Sequence, residues 1–500
     1  MSAPPALSEP PAETTIGTRG DGRGRRIVLY AATRGTTEAM RSARGLLLAI
    51  VLGPRAFGIW TLFRIFMRYT PLSGLGVQRG LELEIVQERA VGTEQALARA
   101  ELSARTTLGW IIATAIATSL AALLASFLVT DETWRLALRA VSLGVVLEEL
   151  WVYATTYLRA LRELRRYALL EIANASVHLI AAVGMAYLFG LRGAIAGFVI
   201  GALVSLWTVR GCAPFRPARA GVALRRLLGV GIPIALSSAL TIALSTADRL
   251  VVAAYGGAAT LGLYAFGVSV AGLAASLAWI IRTVIFPDVY GSARLAGASP
   301  AMREHLQRTV LPFACLFPPM LGVLALAMEP VMTLALPRYL PAAPAARVFI
   351  FTAGAGGITT LGAIGVVAVG RQRALPILSA IALSINLACS MLALQFGMGL
   401  AAVAAGAVLA QATIAAGVLA ILASQAEHER SLPLVLQGLL PLAWCIASVL
   451  LTSRLYDPRT LAGAAESLGT YLLLLLPISP LIRRGFRSAR SRALPASYTE

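Results

Sequence analysis

Arginine side chains and one glutamate recur at helical spacing in two apolar stretches near the start of the chain. They are Arg34, Glu38, Arg41, Arg44, Arg64 and Arg68. On a helix, Arg34, Arg41 and Arg44 share one face, and Arg64 and Arg68 share another. A charged side chain at the centre of a bilayer costs about 2.5–3.5 kcal/mol. If these stretches cross a membrane, we expect the charges to face a polar cavity rather than lipid.

Five arginines against one glutamate leave positive charge that pairing within these two stretches cannot neutralise. Guanidinium groups bind phosphate oxygens through two parallel hydrogen bonds. The pattern therefore predicts a cationic wall that binds an anionic substrate. The alternative is structural: Arg44 extends to the membrane surface, Glu38 only pairs with Arg34 or Arg41, and Arg34 lies in the cytoplasmic interface.

A second candidate pair, Asp248 and Arg249, lies in an apolar stretch near the middle of the chain. Adjacent residues point about 100° apart on a helix, so the two side chains have different neighbours. We predict that Arg249 adds positive charge to the substrate site from across the cavity, and that Asp248 binds a coupling Na⁺ ion or proton. The alternative is that each residue pairs with a neighbouring helix and holds the fold.

A third candidate face combines a carboxylate with aromatic rings. Glu149, Tyr153 and Tyr157 follow one another at intervals of four residues and share a helix face. Carboxylates accept hydrogen bonds from hydroxyls and aromatic rings stack on sugar rings, so we predict that Glu149 and Tyr153 contact a sugar. The alternative is that this face is a structural partner for Arg64 or Arg68.

The next apolar stretch carries polar residues that also share one face. They are Glu171, Asn174 and His178. Histidine titrates near neutral pH, which suits a proton relay. Polar side chains in membrane helices also form hydrogen bonds between helices, and we favour that interpretation here.

These charges belong to a very apolar chain. Its 500 residues are 58% hydrophobic and 13% charged, with a mean hydropathy of +0.76, whereas soluble domains are about 25% charged. Apolar stretches of about 20 residues recur from end to end, which predicts an all-α polytopic membrane protein. The net charge is +19, but the arginines lie mostly between the apolar stretches. That placement indicates membrane orientation rather than nucleic-acid binding.

Several functional classes lack their signature residues. No lysine occurs, so the chain has no GxxxxGK[ST] phosphate-binding loop. The cysteines form no CxxC pair and the three histidines are far apart, so we expect no metal site and no cofactor. Residues 1–26 lack the apolar core of a signal peptide and are predicted to be a disordered tail. Because no catalytic constellation is visible, we expect a protein that is not an enzyme.

We predict about fourteen transmembrane helices. Two six-helix halves cover residues 27–210 and 227–424, two extra helices cover residues 434–483, and residues 1–26 and 484–500 form tails. Arginine-rich loops alternate with arginine-poor loops, so the positive-inside rule places both termini in the cytoplasm. An alternative that we disfavour merges residues 45–70 into one span and gives about thirteen.

Two pairs of turns repeat at nearly the same distance along the chain. The first pair is GPRAFGIW at 53–60 and GAATLGLY at 257–264, an offset of 204 residues. The second pair is the Phe-Gly step at 189–190 and at 396–397, an offset of 207. The shared offset predicts two pseudo-symmetric halves related by an axis along the membrane normal, with the substrate site between them.

The same turns resemble motifs of bacterial polysaccharide flippases. LGPRAFGIW at 52–60 is similar to their LGP-x-x-[FY]-G turn, and ADRLVV at 247–252 with GLY at 262–264 is similar to their D-R-apolar and G-x-Y pattern. Further similar positions are PRY at 337–339, GRQR at 370–373 and Asn386. The resemblance covers nearly the whole chain. This family, which includes O-antigen and exopolysaccharide flippases, belongs to the multidrug, oligosaccharidyl-lipid and polysaccharide exporter (MOP) superfamily.

The resemblance implies a flippase of the bacterial cytoplasmic membrane. Such a protein moves an undecaprenyl-pyrophosphate-linked oligosaccharide across the membrane by alternating access, for lipopolysaccharide or exopolysaccharide biosynthesis. The anion at the cationic wall is then a pyrophosphate. The expected partners are the lipid-linked oligosaccharide and membrane lipids, with Na⁺ or H⁺ as a possible coupling ion, and the expected oligomeric state is a monomer.

Other functions are less well supported by the residues. A cation-coupled multidrug or metabolite exporter of the same superfamily should have a carboxylate-rich cavity, which disfavours it here. A peptidoglycan-precursor flippase shares the cationic cavity and stays open as an alternative. A membrane polymerase or ligase is disfavoured because the predicted outer loops are short and contain no histidine.

Overall fold

A computed structural model describes residues 20–295, 298–426, 431–457 and 459–493 of the chain. Within these ranges the chain forms sixteen α-helices and no β-strand, which confirms the all-α prediction. The helices are α1 (Gly20–Tyr69), α2 (Val77–Val91), α3 (Glu94–Leu128), α4 (Glu132–Ala160), α5 (Leu164–Val209), α6 (Gly221–Leu244), α7 (Ala247–Leu295), α8 (Ala298–His305), α9 (Leu311–Ala335), α10 (Ala343–Phe349), α11 (Thr352–Ala368), α12 (Ala374–Gln395), α13 (Leu400–Gln425), α14 (Ser431–Leu455), α15 (Leu461–Leu474) and α16 (Ser479–Ala493).

Eleven helical segments of the described chain are long and apolar enough to cross a membrane. The segments in α1 and α5 each provide two crossings, because the chain reverses inside them. The chain also reverses at Gly257 in α7, but residues 247–256 before that turn are too few to cross on their own, so this segment provides one crossing. Helix α4 is not among the eleven, since its arginines and glutamates lower its hydropathy. Its 29 residues are nevertheless long enough to cross, and it packs between α3 and α5. Counting α4, the described residues make fourteen crossings, as predicted.

The chain turns back on itself at Gly190, inside α5. The backbone there has φ 61° and ψ −140°, a conformation that only glycine adopts without strain. Beyond the turn, Gly193 lies against Met185, and Gly201 lies against His178. As the chain advances from Gly193 to Gly201 on the second arm, its contacts on the first arm move back from Met185 to His178. The two arms of α5 are therefore antiparallel.

Helices α1 and α7 reverse at the two glycines that begin the repeated turn. Gly53 has φ 71° and ψ 171°, and Gly257 has φ 70° and ψ −171°, so the two backbones are nearly identical. Asp248 and Tyr264, on the two arms of α7, are joined by a hydrogen bond of 2.7 Å. Because the backbone of α1 reverses at Gly53, the alternative of one continuous span over residues 45–70 is wrong.

The two halves meet through these turns in a reciprocal contact. Gly58 lies against the carbonyl of Ala258, and Gly262 lies against the carbonyl of Pro54. Each contact maps onto the other when 204 residues are added or subtracted. A Cβ atom at either glycine would stand 1.8 Å from the facing carbonyl oxygen, so neither position accepts a side chain in this arrangement. The halves are thus pseudo-symmetric.

The first arm of α1 and the second arm of α7 continue this contact along the middle of the molecule. Gly45 lies against Ser269, and further along Gly35 lies against Ile280. Successive contacts again run in opposite directions along the chain, so the two arms are antiparallel. These arms form the seam between the halves and enclose one side of the space between them.

The last helices pack outside the repeated part. Trp444 of α14 donates a hydrogen bond of 2.6 Å to the carbonyl of Leu474, and Tyr471 of α15 donates one of 3.1 Å to the carbonyl of Pro319 in α9. Both extra helices also pack directly against α9. A 3₁₀ turn at Leu476–Ile478 separates α15 from α16, so the last predicted span is broken there.

The helices extend into both predicted tails. Helix α1 begins at Gly20, so residues 20–26 are helical rather than disordered, and residues 1–19 lie outside the described residues. Helix α16 likewise covers residues 484–493 of the predicted C-terminal tail, and residues 494–500 lie outside the described residues. The predicted division into halves at 27–210 and 227–424 stays a prediction.

Candidate functional site

A large cavity of about 1040 Å³ lies between the two halves. Both arms of α1 and both arms of α7 line it, together with α4 and α5 of the first half and α6, α10, α11, α12 and α13 of the second half. The reversal at Gly53 folds the two arms of α1 together, so that the arginine faces of both arms are turned to the same space.

Five of the six charged residues predicted in α1 line this cavity. They are Glu38, Arg41, Arg44, Arg64 and Arg68. The side chain of Arg34 lies outside the described part of the structure. The prediction that helical spacing collects these charges at one polar surface agrees with this placement; whether they bind substrate stays a prediction.

Arg41 is held by two carboxylates. One of its terminal nitrogens lies 2.8 Å from Oε1 of Glu38, one helical turn away, and the other lies 2.8 Å from Oε2 of Glu171 on α5. Tyr167 donates a hydrogen bond of 3.2 Å to the second oxygen of Glu171. The charge of Arg41 is thus compensated, and its pairing joins α1 to α5.

Arg44, Arg64 and Arg68 have no carboxylate within ion-pair distance among the described side chains. The guanidinium of Arg64 stacks 5.1 Å from the ring centre of Phe198, and Arg68 donates a hydrogen bond of 3.4 Å to the hydroxyl of Ser245. Arg44 is only 9% exposed. Arg64 lies close enough to Arg44 and to Arg68 for their charges to repel each other.

Asp248 and Arg249 lie at the start of α7, and both line the cavity. The hydroxyl of Tyr264 donates to Oδ2 of Asp248 at 2.7 Å, and the backbone N–H of Arg249 donates to Oδ1 at 2.8 Å. The Arg249 guanidinium lies 3.7 Å from that carboxylate and also donates to the carbonyl of Ser245. Asp248 is thus a fixed, buried carboxylate beside an arginine, and its predicted role in ion coupling stays a prediction.

The predicted sugar-contacting face of α4 points away from the cavity. Glu149 is fully buried and accepts a hydrogen bond of 2.8 Å from Gln78 of α2. The Tyr153 hydroxyl lies 3.1 Å from the carbonyl oxygens of both Ala104 and Pro214. This face packs on α2, α3 and the segment before α6, so in this structure neither Glu149 nor Tyr153 reaches the space where a sugar could lie.

The cavity also contains charged residues that the sequence analysis did not single out as site residues. Glu148, one residue before Glu149 and about 100° around the helix, lines the cavity near Arg41, Arg44 and Arg64. Arg282 of α7 lines it as well, with its guanidinium 4.9 Å from the ring centre of Trp279. The signal for Arg282 was an arginine inside an apolar stretch with no acidic residue within one turn.

The polar residues of α5 take the role that we favoured for them. Glu171 pairs with Arg41 of α1, and Asn174 accepts a hydrogen bond of 2.7 Å from Ser205 on the other arm of α5. His178 lines the cavity, and its ring packs against Phe198 in a tilted arrangement with the ring centres 4.9 Å apart. These contacts are interhelical hydrogen bonds and packing, which hold the arginine-bearing helix against its neighbour.

The cavity has excess positive charge overall. The described lining side chains include six arginines and three carboxylates. The arginines are Arg41, Arg44, Arg64, Arg68, Arg249 and Arg282, and the carboxylates are Glu38, Glu148 and Asp248. Glu171, which pairs with Arg41 but does not line the cavity, adds one more carboxylate. Even with Glu171 included, arginines outnumber acids, so the cavity attracts anions.

This arrangement suits binding better than covalent chemistry. Among the described residues, no three histidine, cysteine, aspartate or glutamate side chains are grouped as metal ligands. Arg44, Arg64 and Arg68, which have no ion-pair partner among the described side chains, present guanidinium groups to this cavity, where an anion interacts with them more strongly than in bulk water. The site can hold a group with several negative oxygens, and phosphate fits the guanidinium fork.

Comparison with known proteins agrees with this fold. A family model described as polysaccharide biosynthesis protein matches residues 47–344. A solved structure of the lipid II flippase MurJ in an inward closed conformation is similar, with a TM-score of 0.70 and 14% sequence identity over 92% of this chain and 100% of that chain. No curated protein matches the chain.

Two structures of a multidrug resistance MATE family transporter of the MOP superfamily are also similar. The inward-facing form has a TM-score of 0.58 and 14% identity, covering 85% of this chain and 99% of that chain. The outward-facing form has a TM-score of 0.56 and 14% identity, covering 86% and 97%. The chain therefore belongs to the polysaccharide biosynthesis protein family, and it has the polytopic membrane fold of the flippases and transporters of the MOP superfamily.

Proposed function

We propose that the chain is a flippase that moves an undecaprenyl-pyrophosphate-linked oligosaccharide across the bacterial cytoplasmic membrane by alternating access. The product would serve the assembly of a surface polysaccharide such as lipopolysaccharide or exopolysaccharide. Membership of the polysaccharide biosynthesis family supports the substrate class. The pseudo-symmetric halves around one cavity support alternating access, because each half can rock against the other about the shared seam.

The observation that carries the proposal is that Arg44, Arg64 and Arg68 line one cavity without an ion-pair partner among the described side chains. Guanidinium groups that line one cavity and repel one another are costly to keep together unless a mobile anion joins them. A pyrophosphate supplies that anion and can accept bidentate hydrogen bonds. Arg41, which two carboxylates already hold, serves to position this arm of α1 rather than to bind the headgroup.

Asp248 is the candidate for ion coupling. It is the carboxylate of the second half that lines the cavity, and its two oxygens are held by Tyr264 and by the backbone of Arg249. Binding of Na⁺ or H⁺ there would reduce the attraction between Asp248 and Arg249. Arg249 would then be available to the anion, which links ion binding to substrate binding.

The orientation follows from the placement of arginine. Arginine-rich loops lie on the side that we assign to the cytoplasm, and this assignment places both termini there. The substrate is made on that side, so the pyrophosphate would enter from the cytoplasm and leave towards the outer leaflet. A monomer contains the whole cavity, which supports a monomeric transporter.

The test is a flipping assay with the purified full-length chain in sealed lipid vesicles. The probe is an undecaprenyl-pyrophosphate-linked oligosaccharide with a fluorescent label on the sugar, and a membrane-impermeant quencher reports the fraction in the outer leaflet. We expect the chain to make all of the probe accessible to the quencher. If part of the probe instead stays protected from the quencher while the vesicles export the cationic dye ethidium, the result would contradict the proposal and support a multidrug exporter.

A further inference from the structure

The part of the cavity formed by the second arm of α7, α11 and α13 is polar, and its described lining side chains include no carboxylate; Asp248, on the first arm of α7, lies outside this part. The polar side chains that line this part include Ser269, Ser276, Thr352, Thr360 and Gln411. The charged residue on this side is Arg282, and no aspartate or glutamate of these helices lines the cavity among the described residues. We call Ser269, Ser276, Thr352, Thr360 and Gln411 the neutral wall.

Three hydroxyls of the neutral wall already donate their hydrogen atoms to backbone carbonyls three or four residues earlier in the chain. Ser269 donates to the carbonyl of Ala265 at 3.0 Å, Ser276 donates to the carbonyl of Leu273 at 2.6 Å, and Thr352 donates to the carbonyl of Phe349, at the end of α10, at 2.6 Å. The oxygen lone pairs of these hydroxyls remain to accept hydrogen bonds. Donors that match them are the hydroxyl groups of a sugar.

Gln411 differs from the other members because its amide both donates and accepts hydrogen bonds. It projects from α13 towards α11 opposite Gly356, where a Cβ atom would meet only the Gln411 side-chain oxygen, at 3.8 Å. Since α11 has no side chain there, the space beside Gln411 is open to a ring. A polar group placed to hydrogen-bond a substrate discriminates strongly against substrates that cannot pair with it.

We propose that the neutral wall recognises the glycan of the substrate, with Gln411 as a specificity-determining residue, and that it selects neutral or acidic sugars over sugars with a free amine. An ammonium group on the glycan would meet Arg282 and no carboxylate on this wall, so its desolvation would not be compensated. Acidic sugars meet a favourable charge at Arg282. This inference rests on the proposed function, because it assigns a role in sugar recognition to the neutral wall of the same cavity.

The experiment measures the binding of four probes to the purified full-length chain in detergent. The probes are undecaprenyl pyrophosphate alone, and the same lipid with a disaccharide of glucose, of glucuronic acid or of glucosamine. Because one or two neutral hydrogen bonds are worth about 1–2 kcal/mol in total, we expect the glucose and glucuronic acid probes to bind about tenfold more tightly than the bare lipid. The glucosamine probe should gain nothing or bind more weakly.

Two substitutions at Gln411 test its role. Gln411→Ala should remove most of the gain that the glucose disaccharide adds and leave the affinity for the bare lipid unchanged. Gln411→Glu should make the glucosamine probe bind more tightly than in the original chain, because the new carboxylate pairs with the amine. Thr413→Ala is the matched control: Thr413 is on the same helix, bonds its hydroxyl to the carbonyl of Leu409 and does not line the cavity.

The outcomes separate this inference from the proposed function. If the bare lipid binds and Gln411→Ala and Gln411→Glu leave the order of the sugar probes unchanged, the inference is wrong and the proposed function stands. A glucosamine probe that binds as tightly as the glucose probe also overturns it. If none of the four lipids binds, the proposed function fails first.

Discussion

Helix α7 repeats the glycine turn of α1 but has no arginine at the positions equivalent to the cavity-lining arginines of α1. The glycines that reverse and join the two helices recur at an offset of 204 residues, as Gly53 with Gly257 and Gly58 with Gly262. At the same offset, four cavity-lining arginines of α1 correspond to cavity-lining residues of other types, one just before α7 and three within it. The pairs are Arg41 with Ser245, Arg44 with Asp248, Arg64 with Val268, and Arg68 with Gly272.

This comparison separates what the fold needs from what the substrate needs. The paired glycines are retained in both halves because reversal and close approach depend on the backbone. The four α1 arginines have no arginine at the equivalent positions of the second half, so the repeated turn does not depend on them. Four of the six lining arginines lie in α1, and the other two, Arg249 and Arg282, lie in α7. An anion bound between the halves would therefore be held mainly from the α1 side, which leaves the neutral wall for a different part of the substrate.

The largest effect on flipping is expected when one arginine of α1 is replaced by the residue at the equivalent position of α7. Arg64→Val gives α1 the residue that α7 has at the equivalent position and removes one uncompensated guanidinium. A hydrogen bond to a charged group is worth about 1.5–3 kcal/mol, so flipping should fall by about ten- to a hundredfold. Arg373→Ala, in an exposed loop, is the control and should flip normally. Equal flipping by both variants would show that Arg64 does not contact the substrate.

The reciprocal glycine contact predicts two equal effects. Gly58→Ala and Gly262→Ala each place a methyl group against the facing carbonyl, and overpacking of this kind costs about 1–3 kcal/mol. Each variant should open this side of the cavity to the same extent, measured as the distance between spin labels on the two halves. Gly184→Ala is the control, because a Cβ there meets nothing within 4 Å. Unequal effects at the two sites would argue against the pseudo-symmetry of the contact.

A smaller and more specific effect is expected at Asp248, which occupies the position of the second half that is equivalent to Arg44. Asp248→Asn removes the charge but keeps an acceptor for Tyr264. We expect flipping to become independent of Na⁺ and proton gradients and to fall several-fold, as measured in vesicles with and without each gradient. Tyr264→Phe should keep the dependence on the gradient. If Asp248→Asn keeps that dependence too, the coupling role belongs elsewhere.

The smallest effect is expected on the face of α4 that points away from the cavity. Glu149→Gln keeps a hydrogen-bonding partner for Gln78 and should change flipping by less than about twofold, because buried polar pairs away from the site affect stability rather than transport. Glu148→Gln, one residue earlier, removes a carboxylate that faces the arginines and should change substrate affinity. A larger loss of flipping in Glu149→Gln than in Glu148→Gln would contradict the assignment of the two faces.

The sequence predicted which segments are helices better than it predicted which face of each helix points to the cavity. Gly53, Gly190 and Gly257 were readable as turns because a reversal inside an apolar stretch requires a residue that tolerates positive φ. Fourteen crossings and two pseudo-symmetric halves followed from those turns and from hydropathy. The choice between Glu148 and Glu149 did not follow, since adjacent residues differ by about 100° on a helix and only packing decides which one faces the cavity.

The sequence also did not predict which charged residues from distant parts of the chain pair with each other. Glu171 stands 130 residues after Arg41, and their pairing exists because α1 packs on α5. Without it, Arg41 and Arg64 looked equally suited to bind an anion. The structure compensates the charge of Arg41 and leaves Arg44, Arg64 and Arg68 without carboxylate partners among the described side chains.

The central claim is that these three arginines hold a pyrophosphate, and one binding measurement tests it most directly. The affinity of the purified chain for undecaprenyl pyrophosphate is compared with that for undecaprenol, which has the same tail and no charge. We expect a preference for the charged lipid of about a hundredfold or more, since two or more charge-assisted hydrogen bonds are formed. That preference should disappear when Arg44, Arg64 and Arg68 are all replaced by alanine. Equal affinity for the two lipids in the unmodified chain would contradict the claim.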